Sequence, residues 1–138
     1  MEFTWKKILL LCGFFITLIV GPIWVLSTPM IEYYVTKFDR EPDTENSKKY
    51  LLKCADVCYS TMREDKSAEL YQKFYDRYKE DHRRHYALYW LGMSLDKLNK
   101  NKDAINTFYQ YLNEYPEGKY AKDSTDGVQR IKYSKPNN

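Results

Sequence analysis

At 138 residues and a net charge of +3, the chain has room for one small domain and one further segment. Its 22 Lys and Arg are interspersed with 19 Asp and Glu, which leaves no basic stripe for nucleic acid and no charged tail. Five glycines, none of them clustered, and three cysteines make no phosphate loop, dinucleotide fingerprint or zinc set, so neither a cofactor nor a small-molecule substrate is expected.

Ile8 to Leu26 is an apolar run without a charge. As a helix rising 1.5 Å per residue it would be about 28 Å long, close to the thickness of a hydrocarbon core. Trp5 and Trp24 bracket it at the positions where amphipathic rings favour the lipid–water boundary. Lys6 and Lys7 place the N-terminus inside and the bulk of the chain outside. The length of the run favours a retained anchor over residues 1–28; a secretory signal cut after Val25-Leu26-Ser27 is the alternative. Gly13, Thr17 and Gly21 recur every fourth residue and share one helix face, a surface on which another transmembrane helix could pack closely.

Residues 29–46 read as an amphipathic connector and linker. Pro29 suits a first helical turn, and Met30, Ile31, Tyr34, Val35 and Phe38 recur at helical spacing. This segment either prolongs the anchor or lies along the membrane surface. Asp39 to Ser47 is charged, carries Pro42 and lacks apolar periodicity.

Five amphipathic helices are expected over 47–132, followed by a disordered tail at 133–138. The first spans about Ser47 to Arg63, the second Ser67 to Glu80 and the third His82 to Leu98. The fourth runs from Lys102 to Glu114 and the fifth from Lys119 to Lys132. Short polar connections imply antiparallel neighbours, and no alternating strand pattern appears. Cys54 and Cys58 fall on the apolar face of the first helix, either as buried thiols or, in an oxidising compartment, as a disulfide. His82 and His85 flank Arg83-Arg84, whose charge opposes a metal, so they read as solvated surface.

Leu88-x2-Leu91-Gly92-x2-Leu95, then Ala104-x3-Phe108-x2-Tyr111 and Pro116, fill a window of about 34 residues. This pattern resembles a tetratricopeptide repeat, in which two antiparallel helices pack through small and large residues at fixed offsets. Leu88 stands where the family often has Trp, Asn101 where it has Tyr, and Tyr111 where it usually has Ala. Shifting back by about 34 residues places Val57, Cys58, Leu70 and Phe74 over Leu91, Gly92, Ala104 and Phe108, a degenerate earlier copy. The stretch from Phe108 to Ala121 further resembles the variant found in bacterial envelope proteins, such as outer-membrane assembly lipoproteins and the Tol–Pal coordinator.

The apolar run and the helical periods give an all-α fold, with an N-terminal transmembrane helix followed by about five helices, and the resemblance implies that these form a short solenoid of antiparallel hairpins. It implies a non-catalytic adaptor whose protein partner binds a concave surface lined by the first helix of each pair. The matched offsets would present Tyr59, Met62 and Arg63, then Tyr86, Tyr89, Met93 and Lys97, and finally Tyr120. The positions that clamp a C-terminal carboxylate in some relatives hold Ala55 and Tyr59, so that specificity is not expected. The expected location is a bacterial cytoplasmic membrane, spanned once by residues 8–26, with the C-terminal domain in the periplasm. The alternatives are a small structural subunit of a large membrane complex, or a cleaved soluble periplasmic protein.

Overall fold

The computed structural model describes Trp5, Phe14 and residues 28–134. The anchor run, apart from Phe14, and its Gly13, Thr17 and Gly21 face lie outside the described residues. From residue 28 onwards these form six helices and no strand: α1 Thr28–Asp39, α2 Glu45–Ser60, α3 Glu64–Arg77, α4 Arg84–Lys97, α5 Asn101–Glu114 and α6 Ala121–Ser134. Each helix packs on the one before it and the one after it, as in a tetratricopeptide-like solenoid. Helix α6 continues through Tyr133 and Ser134, two residues into the segment expected as tail.

Two tight reversals build the α2–α3 and α4–α5 hairpins in the same way. Met62 and Asn99 both take left-handed backbone, each with φ 57°. The following amides then bond back five residues, Arg63 N–H to the Cys58 carbonyl at 2.9 Å and Lys100 N–H to the Leu95 carbonyl at 3.0 Å. The second of the expected helices starts earlier than its apolar pattern, at Glu64, because Glu64 and Asp65 suit the positive end of a helix.

Leu88, Ala104, Phe108 and Tyr111 are buried almost completely, with Leu91 close behind and Leu95 packed at the margin. Gly92 is required by geometry. A Cβ there would stand 2.7 Å from Phe108 Cε1. On the other side of the ring, a Cβ at Gly127 of α6 would stand 2.9 Å from Phe108 Cε2. The α5 phenylalanine is thus held between glycines of α4 and α6. Tyr111 reaches past the end of α5, where its hydroxyl accepts the Tyr120 N–H at 3.1 Å. Gly118 makes that reach feasible, since a Cβ would lie 2.6 Å from the same hydroxyl. The tyrosine that departs from the family's usual alanine therefore ties the loop around Pro116 to the start of α6.

Residues 29–46, set apart by sequence as connector and linker, provide the first layer of the bundle. Ile31 and Val35 of α1 are buried against α2. Glu32 pairs with Lys66 at 2.8 Å, and Asp39 with Lys73 and with Arg77, the latter at 2.7 Å. Both counter-charges of Asp39 lie on α3, beyond the reach of any local pattern. Thr44 caps α2 by accepting the Ser47 N–H at 3.1 Å. Cys54 and Cys58 are free and buried within α2. Burial first, and the neighbouring Cys58 second, push the Cys54 thiol up to about 11, which makes it a poor nucleophile.

Candidate partner-binding groove

Helices α2 and α4 and the segment entering α6 share one face of the stack. The ends of Tyr71 and Tyr86 meet there on one carboxylate, donating to Asp56 Oδ1 at 2.6 Å and 2.7 Å. Burial first, and the bond to Asp56 second, raise both phenol pKa values, so each hydroxyl stays a donor. This fixes the Tyr86 ring at the mouth of an open cavity of about 370 Å³. The cavity is lined by Lys49, Leu52, Lys53 and Asp56 of α2, by Arg83, His85 and Tyr86 at the start of α4, and by Lys119 and Tyr120 before α6.

From this mouth a path of rings runs along the face. Tyr120 lies 6.2 Å from Tyr86, Tyr86 lies 6.0 Å from Trp90, and Trp90 meets Tyr59 edge-on at 4.8 Å. Lys97 closes the far end, with Nζ 3.7 Å from the centre of the Tyr59 ring. The structure thus joins Tyr59, Tyr86, Lys97 and Tyr120 into one surface, and Trp90 is the bridge between them.

Of the remaining expected groove residues, Tyr89, Met62 and Arg63 fall elsewhere. Tyr89 is only 8% exposed and stacks at 4.3 Å beneath Tyr120, with Phe108 and Tyr111 behind it. It supports the groove from below and does not form its surface. Met93 is partly buried against the core. Met62 is the left-handed turn residue, 83% exposed, and Arg63 precedes α3 with its Nε donating to Thr61 Oγ1 at 3.0 Å. Both belong to the α2–α3 turn.

Sequence offsets missed Trp90, Lys49, Lys53, Arg83 and Lys119. Only one of these had a usable signal: Trp90 sits one turn beyond Tyr86 on the same helix. The cations come from three separate segments and meet only in the folded chain. His85, read as solvated surface, turns its ring toward Tyr115 and Tyr120, and its Nδ1 lies 2.7 Å from the His82 carbonyl oxygen.

The charge around the mouth is uneven. Arg83 is occupied, bonding Asp81 at 2.8 Å and Glu45 at 2.7 Å. Lys49, Lys53 and Lys119 are exposed, and among the described residues none has a carboxylate within 4.0 Å. Lys53 and Lys119 lean over Tyr50 and Tyr120, at 5.6 Å and 5.1 Å. Asp56 is the one carboxylate lining the cavity, and its Oδ1 is already taken by two hydroxyls.

The hairpin of α4 and α5 with the loop to Gly118, locked by Gly92 on Phe108, decides the comparison with known proteins. Residues 86–118 match the tetratricopeptide repeat family. The match covers α4 from Tyr86, all of α5 and the Pro116 loop. Repeats of this kind support a protein–protein interaction role, with α4 as the first helix of the pair and α5 as the second. No match to a curated protein was found.

Proposed function

We propose that the protein is a non-catalytic scaffold that binds a protein partner across the face shared by α2, α4 and the entry to α6. The observation that carries this reading is the ring path from Tyr120 through Tyr86 and Trp90 to Tyr59, which adjoins an open cavity within a tetratricopeptide-like stack. Tyr and Trp give large contact areas at a small entropic cost, and their polar ends tolerate water before the partner arrives.

The proposal extends to a membrane location, with residues 8–26 as a single span and the helical domain outside the cytoplasm. The uncharged run supports this, as does Phe14 within it, which is helical and 64% exposed. Among the described residues no helix is long and apolar enough to cross a membrane.

A photo-crosslinking residue placed at Tyr120 or Lys53 is expected to capture one discrete partner in cells, whereas the same probe at Asn106 on α5 captures none. The same products from both faces would remove the groove from the proposal. Labelling of Asp126→Cys by a membrane-impermeant maleimide in intact cells tests the topology. Protection until the cells are opened would place the domain inside.

A further inference from the structure

The groove's electrostatics narrow the partner further, and the narrowing rests on the scaffold reading above. Lys49 and Lys53 of α2 and Lys119 from the segment entering α6 line one cavity together with Leu52, Tyr86 and Tyr120. These lysines come from segments more than sixty residues apart in sequence, with about 65 residues between Lys53 and Lys119. Three ammonium groups with no carboxylate within 4.0 Å repel one another, and the single charge of Asp56, water and salt offset that only in part in the free protein. A bound segment that brings its own carboxylates relieves that repulsion. The apolar floor requires a side chain that can fill it, and the one lining carboxylate, Asp56, is turned to its tyrosines.

We propose that this cavity recognises an acidic peptide segment of a partner protein: one aromatic or large aliphatic side chain seated on Leu52, Tyr86 and Tyr120, with Asp or Glu on both sides of it facing the lysines. Recognition comes from side-chain carboxylates on either flank of the anchor, so a free C-terminus is not needed. The flanking carboxylates meet Lys49 and Lys53 of α2 and Lys119 before α6.

The test uses the full chain in neutral detergent micelles and short fluorescein-labelled peptides with amidated C-termini, read by anisotropy. One peptide carries Phe flanked by Glu, a second has the same Phe flanked by Gln, and a third has it flanked by Lys. The Glu peptide is expected to bind about tenfold more tightly than the Gln peptide at low salt, the gap narrowing to about twofold near 0.5 M salt. Charge reversal at Lys53→Glu with Lys119→Glu is expected to abolish that preference. The milder Lys119→Gln should reduce it without changing the melting curve, which covers the case in which the double variant is unstable.

Equal binding of the Glu and Gln peptides would overturn the acidic specificity and leave the groove as a docking site. Binding of none of the three would overturn both. Tighter binding to vesicles containing an anionic phospholipid than to any peptide, lost in the same charge reversals, would reassign the lysines to a membrane surface and overturn the proposal.

Discussion

Gly92 carries no side chain because the Phe108 ring occupies the space, 2.7 Å from where a Cβ would be. The ring has little room to retreat, since Gly127 backs its other side so closely that a Cβ there would stand 2.9 Å from it. Gly92→Ala gains about 1 kcal/mol of helix propensity but overpacks this contact, and the net loss is expected at about 1–3 kcal/mol in urea denaturation. Adding Phe108→Leu should recover part of it, so the double variant loses less than the sum of the two singles. Strict additivity would mean that the ring and the glycine do not share the contact. Met62 presents the opposite case. Its left-handed backbone costs about 1–2 kcal/mol for a residue with a Cβ, while its side chain is 83% exposed. Met62→Gly should therefore raise stability by about 0.5–1 kcal/mol and leave partner binding unchanged. A loss of binding would return Met62 to the contact surface.

At the scale of elements, α1 is the outer layer of a stack in which each helix packs chiefly on its neighbours. Its hold is partly apolar, through Ile31 and Val35, and partly ionic, through Glu32 and Asp39. Half-exposed ion pairs contribute little on their own, so the apolar contact should dominate. Ile31→Ala is expected to weaken α1 docking by about 2–4 kcal/mol. Hydrogen exchange would then speed up in α1 while α4 and α5 keep their protection. Loss of protection throughout would show that the layers unfold as one unit. At the opposite end, α6 buries Val128 and Ile131 and turns Lys122, Asp126 and Gln129 outward, a polar face that closes the stack.

For the molecule as a whole, three carboxylates tie distant layers and set the response to acid. Asp81 is held low chiefly by the hydrogen bonds from Arg83, which also binds Glu45 of α2. Burial acts to raise Asp39, but its bonds to Lys73 and Arg77 prevail and lower it. Burial likewise opposes the lowering of Glu114, and is outweighed by Tyr75, Gln110 and Arg84. A carboxylate whose folded pKa lies below its unfolded one contributes stability above the unfolded value, about 4, and loses it as the pH falls toward the folded value. The melting temperature followed by circular dichroism is therefore expected to fall steadily from about pH 5 to about pH 3. A flat profile over that window would show that these ties do not contribute to folding.

The chain on its own specified the helices of the domain and the α4–α5 hairpin, because those depend on local periods and on short spacings such as Gly92 to Phe108. Gly127, 35 positions beyond Gly92, gains meaning only once the ring between them is seen. Tertiary structure decided the rest. It turned an apparent connector into α1, because the charges that hold Asp39 lie on α3. It moved Tyr89 beneath the groove and brought Trp90 into it. It also brought Lys49, Lys53 and Lys119 to one cavity. Burial and electrostatic partnership are properties of segments that meet in space, and a pattern confined to one helix contains no information about the helix two places away.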